Sequence, residues 1–116
     1  MKTVLLVEDD KNQLLLYKQE LSQEGYNIIT AQDGQEAMKR VNEQFPDLIV
    51  MDINMPKMSG IESMSKILEK HKKIPIIINT AYSSWKDNFM SWSADAYIIK
   101  SSDLTELKNK IKELIG

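Results

Sequence analysis

Five short apolar runs alternate with segments of helical spacing along this chain. The runs are Val4–Val7, Asn27–Thr30, Leu48–Met51, Ile76–Ile78 and Tyr97–Ile99, and they are rich in β-branched residues. Between them, Leu14, Tyr17 and Leu21 form one helical stripe, and Ala37, Met38, Val41 and Phe45 a second. Ile61, Met64, Ile67 and Leu68 form a third, and Leu104, Leu107, Ile111, Leu114 and Ile115 form the last and clearest.

Helix starts carry their own signals. Asp33-Gly34-Gln35-Glu36, Ser59-Gly60-Ile61-Glu62 and Asp103-Leu104-Thr105-Glu106 each read as an N-cap with an acid three residues on. Ser84-Trp85-Lys86-Asp87 is a weaker version, and Gly25 reads as a left-handed helix stop. The pattern predicts five β-strands and five α-helices in strict alternation. That is a doubly wound α/β fold, with a parallel sheet and helices on both faces. Near-continuous apolar runs fit strands covered on both sides. In such sheets the functional crevice lies beyond the carboxyl ends of the strands, where strand order reverses.

The run ends carry the candidate chemistry. Val7 leads into Glu8-Asp9-Asp10, Met51 into Asp52, Ile78 into Asn79-Thr80, and Ile99 into Lys100. If the strands are neighbours, three carboxylates, a hydroxyl and an ammonium converge. Two carboxylates about 4 Å apart repel by about 4 kcal/mol at an effective dielectric near 20, so a cation must compensate. Oxygen-only ligands point to Mg²⁺. The plainer alternative is that Glu8, Asp9 and Asp10 cap the first helix, where acids favour the positive end of its dipole. For Asp10, with Gln13 three residues on, capping is the favoured reading.

Composition narrows the picture. The 116 residues are 42% hydrophobic and 28% charged, with a net charge of −2. One domain over 1–116 is expected, and no basic face for nucleic acid. The absence of cysteine excludes disulfides and thiolate metal sites. No apolar run approaches the roughly 20 residues of a membrane span, and the first is too short for a signal peptide. A cytoplasmic protein with a native start at Met1 is expected.

In this order and spacing the residues resemble the receiver domains of bacterial two-component response regulators. Val4-Leu5-Leu6-Val7-Glu8-Asp9-Asp10 resembles that family's first strand and acidic pair. Asp47 through Pro56, followed by Ser59-Gly60, resembles its phosphoacceptor strand and loop. Pro75 through Ala81 resembles the fourth strand, and Ala94 through Lys100 the fifth. The resemblance implies a CheY-like, flavodoxin-like (βα)5 three-layer sandwich with strand order 2-1-3-4-5. It implies a single-domain, phosphorylation-dependent signalling switch rather than a conventional enzyme. Asp52 would accept a phosphoryl group from a histidine kinase or histidine phosphotransferase. Asp9, Asp52 and the backbone carbonyl of Asn54 would bind Mg²⁺, with Glu8 acting through a metal-bound water. Thr80 and Lys100 would contact phosphoryl oxygens, and Tyr97 would change rotamer when Thr80 moves. Output would be contact with a downstream protein, by a monomer or a phosphorylation-dependent dimer.

Two departures stand out. Ser101 occupies the place of the family's usual proline after the lysine. The Lys100–Ser101 bond is therefore expected trans, since a non-proline cis bond costs about 3 kcal/mol. Trp92 and Ser93 stand where glycine and a small residue are common. The Ser101 departure keeps one alternative open, a receiver-like module that binds partners without phosphorylation. An aspartyl-phosphate hydrolase of the dehalogenase type is disfavoured, because Asn54 stands where its general acid would be. A flavodoxin-like nucleotide carrier is disfavoured too, because Glu8-Asp9-Asp10 replaces its phosphate-holding loop.

The remaining features read as structural. Trp85, Phe89 and Trp92 share a helical face suited to packing on the sheet, with an exposed partner surface as the sharper alternative. Tyr97 reads equally as a core aromatic with its hydroxyl at the surface. His71, among Lys70, Lys72 and Lys73, fits a solvated helix C-terminus. Met51, Met55, Met58 and Met64 fit packing.

Overall fold

A computed structural model describes residues 1–52, 69, 74–81, 94–101 and 103–116. The predicted third and fourth helices, with Asn54, His71, Trp85, Phe89, Trp92 and most of the methionines, lie outside the described residues. Eight elements are described: β1 (Thr3–Val7), α1 (Lys11–Gln23), β2 (Asn27–Ala31), α2 (Gly34–Gln44), β3 (Leu48–Met51), β4 (Ile76–Thr80), β5 (Ala96–Ile99) and α3 (Thr105–Ile115).

All five strands pair in parallel, in the order β2-β1-β3-β4-β5. Strand order reverses between β1 and β3, so the crevice of a doubly wound sheet falls at their carboxyl ends. Period-two alternation splits the buried residues into two layers. Leu6, Val50, Ile77 and Ile98 pack with Leu14, Tyr17 and Leu21 of α1 and with Leu107 and Ile111 of α3. Leu5, Ile49, Ile78 and Tyr97 pack with Ala37 and Val41 of α2 on the other face. The predicted stripes of α1 and α3 are therefore the core-facing ones.

Local chemistry sets the helix ends. Asp10 caps α1, accepting from the N–H groups of Asn12 at 2.9 Å and Gln13 at 3.2 Å. Asp33 caps α2, accepting from Glu36 N–H at 2.8 Å. The Glu36 carboxylate reaches one residue past the cap, to the N–H of Gln32 at 3.2 Å. Before α3, Asp103 accepts from Thr105 N–H at 2.9 Å rather than from Glu106, and the helix begins at Thr105. Gly25 has φ +95, as expected of a left-handed stop.

One stripe residue departs from expectation. Phe45 is 66% exposed and caps α2 with φ 46. Pro46 follows it, and a residue before proline is steered out of the right-handed helical region. The chain turns there, carrying Phe45 off the apolar face.

Candidate functional site

Each site residue at a strand exit is held by one backbone hydrogen bond beyond the regular strand. Glu8 N–H donates to Ala31 O at 3.0 Å, Asp52 N–H to Val7 O at 3.0 Å, and Lys100 N–H to Thr80 O at 2.8 Å. The ladder thus extends to the residue that carries the function, and strand order fixes what stands beside it.

Lys100 Nζ donates to Glu8 Oε1 at 2.7 Å and to Asp52 Oδ2 at 2.8 Å. Glu8 and Asp52 are buried, while Asp9 is exposed at the rim. Burial pushes the Glu8 carboxyl up to about 7 from an ordinary 4.5. The hydrogen bond from Lys100 opposes that rise, and the neighbouring Asp52 adds to it. For Lys100, burial disfavours the charged form, but the hydrogen bonds to Asp52 and Glu8 outweigh it and hold the ammonium above its ordinary 10.5. Lys100 therefore stays protonated beside these carboxylates.

Thr80 ends β4 and is wholly buried. Alternation places it on the α2 face with Ile78 and Tyr97, opposite the face that continues Ile77. Thr80 and Tyr97 thus sit on one face of adjacent strands, with Ile78 directly paired to Tyr97. Burial raises the Tyr97 hydroxyl pKa, and the charge of Asp52 raises it further. The structure therefore brings Glu8, Asp9, Asp52 and Lys100 together, with Thr80 ending β4 beside Lys100 and Tyr97 two register positions back from Thr80 on the same face. Asn54 lies outside the described residues.

The family model of the response regulator receiver domain matches residues 4–112. The chain belongs to this family. It spans about half the length of the curated relatives it matches. One is the alkaline phosphatase synthesis transcriptional regulatory protein PhoP of Bacillus subtilis, 33% identical over 98% of this chain and 48% of its own length. Another is the response regulator ArlR of Staphylococcus aureus, 35% identical over 99% of this chain and 53% of its own. Among solved structures, the response regulator protein TrrA of Thermotoga maritima in complex with Mg²⁺-BeF is 44% identical with a TM-score of 0.94. That match covers 99% of this chain and 100% of that one. A structure of histidine kinase ThkA in complex with TrrA gives 44% identity and a TM-score of 0.92, covering 100% of both chains.

The receiver-domain site fits a hard divalent cation. Among the described residues, Glu8, Asp9 and Asp52 each offer a carboxylate oxygen, and these atoms lie within 4.8 Å of one another. Hard, oxygen-only donors suit such an ion. The ammonium of Lys100 already occupies two of these carboxylates, so the site is arranged to bear positive charge. No helix among the described residues is long and apolar enough to cross a membrane. One polar residue of this receiver domain is named in the sequence reading without a role. Asn79 is buried in β4 beside the cluster. The available signal was an amide closing a run of isoleucines while still inside the strand.

Proposed function

We propose that this receiver domain is a phosphorylation-controlled switch in which Asp52 is the phosphoacceptor. The observation that carries the reading is the 2.8 Å contact of Lys100 with a buried Asp52 at the point where strand order reverses. A carboxylate is a weak nucleophile, so rate must come from placement and charge neutralisation. An Asp52 oxygen attacks the phosphorus of a phosphohistidine on a histidine kinase or phosphotransferase. The new O–P bond forms as the P–N bond breaks, and the electron pair leaves with the histidine nitrogen. Lys100 remains beside the transferred group and offsets charge on its oxygens.

Asp9, Asp52 and the backbone carbonyl of Asn54 would hold Mg²⁺, with Glu8 behind a metal-bound water. When bound, Mg²⁺ supplies positive charge to phosphoryl oxygens during in-line transfer. Thr80 then moves toward the phosphoryl group, and Tyr97, buried on the same sheet face, repacks with it. Output is a change in contact with a downstream protein, by a monomer or a phosphorylation-dependent dimer in the cytoplasm. The domain assists its own phosphorylation and dephosphorylation and is not a conventional enzyme.

Support comes from TrrA, solved with Mg²⁺-BeF and with the kinase ThkA. The Lys100–Ser101 bond is trans, and Lys100 still reaches Asp52 without the family's proline. That favours phosphoacceptance over a phosphorylation-independent binding module. The test is incubation with a small phosphodonor and Mg²⁺, followed by mass spectrometry. Wild type should gain one phosphoryl group on Asp52, and Asp52→Asn should gain none. An unmodified wild type, or equal gain by Asp52→Asn, removes the reading.

A further inference from the structure

Asn79 sits in β4 after Ile76, Ile77 and Ile78, all fully buried, and is itself 4% exposed. A buried amide without hydrogen bonds is costly, so such groups nearly always find a partner. Alternation sets Asn79 on the face of Ile77, toward α1 and α3. A small hollow of about 10 Å³ opens there. Its apolar wall includes Leu6, Val50 and Tyr17, and its polar lining is Glu8, Asp52 and Asn79. That volume is about the space one water needs.

The second observation concerns Glu8. Its Oε1 accepts from Lys100, and its carboxyl lies against that of Asp52, but its Oε2 is buried and receives no donor among the described residues. A carboxylate oxygen and an amide therefore line one water-sized hollow.

We infer that this hollow binds a single water molecule that donates to Glu8 Oε2 and is held by the Asn79 amide. Asn79 is then a positioning residue: it acts on Glu8 through the water and touches neither metal nor phosphoryl group. The tether stops the Glu8 carboxylate from rotating, so Oε1 stays turned to the charge-bearing side of the cluster. The water itself is independent of the function proposed above; its consequence for Mg²⁺ rests on that reading.

The test has two arms. A high-resolution crystal structure of the metal-free wild type should show a water within hydrogen-bond distance of both Glu8 Oε2 and the Asn79 side chain. Mg²⁺ titration by calorimetry should then show about tenfold weaker binding for Asn79→Leu, which fills the hollow with apolar atoms, in line with loss of an outer-shell partner. Asn79→Ser keeps a hydroxyl and leaves room for the water, and should stay within about twofold of wild type on the same grounds. A hollow without water in the metal-free crystal overturns the inference. So does equal weakening by both variants, or no weakening by Asn79→Leu. If Asn79→Leu does not fold, the wild-type crystal and the serine variant decide. A wild type that binds no Mg²⁺ but shows the water counts against the proposed function and leaves the water site standing.

Discussion

Lys100 and Glu8 stand 92 positions apart in the chain, yet their side chains meet at 2.7 Å, and the same ammonium reaches Asp52 at 2.8 Å. One cation thus bridges two buried acids that would otherwise repel and offsets part of their charge. Removing a single member of such a group leaves the others uncompensated, whereas removing a surface charge does little.

Replacement of Lys100 follows directly. Lys100→Met keeps the stem and removes the charge, leaving Glu8 and Asp52 facing each other. The metal-free variant should lose about 1.5–3 kcal/mol of stability, the range for hydrogen bonds to charged groups. Urea unfolding in EDTA and in saturating Mg²⁺ measures this. The deficit should shrink when Mg²⁺ is present, because the ion replaces the lost positive charge. An unchanged deficit would contradict a shared cation site.

Stability should depend on pH through Glu8. Its folded-state pKa, about 7, lies above its ordinary 4.5, so the folded protein binds the proton more tightly than the unfolded chain does. The stabilisation is fully present below about pH 4.5 and is lost as pH rises through about 7. Melting temperatures in EDTA between pH 4.5 and 8 should therefore fall for wild type relative to Glu8→Gln. Parallel curves for the two proteins would show that Glu8 does not titrate in this window.

Binding of Mg²⁺ should stabilise the fold by mass action. At a concentration of about 100 times its Kd, the gain should be about 2.7 kcal/mol. Asp52→Asn removes one carboxylate from the proposed ligand set and should show clearly less stabilisation at the same concentration. Thermal melts across a Mg²⁺ series give both values. Equal shifts for the two proteins would place the ion elsewhere.

A control separates the adjacent acids. Asp10 lies two residues from Glu8, but its carboxylate is spent on the N–H groups of Asn12 and Gln13. Asp10→Ala should cost about 1 kcal/mol, the usual loss for an N-cap. Mg²⁺ affinity and phosphoryl uptake should not change. A large loss of either would move Asp10 from the helix end into the site.

The sequence by itself determined the strands, the caps at Asp10 and Asp33, and which residues stand at the strand exits. These depend on short-range physics: apolar periodicity, a carboxylate within reach of a free helix N–H, and glycine's tolerance of φ +95 at Gly25. Asp10 and Asp33 cap as read, because a cap needs only its own next three residues. The strand order came from family resemblance, since periodicity does not say which strands are neighbours. Only the tertiary structure decided that Lys100 binds Glu8 as well as Asp52, and that Thr80 and Tyr97 share one sheet face while Asn79 takes the other. Phe45 shows the same limit, because Pro46 turned it away from the face its spacing implied. Pairing across 48 or 92 residues follows from strand order and register, and those are set by how two apolar layers close around the whole sheet.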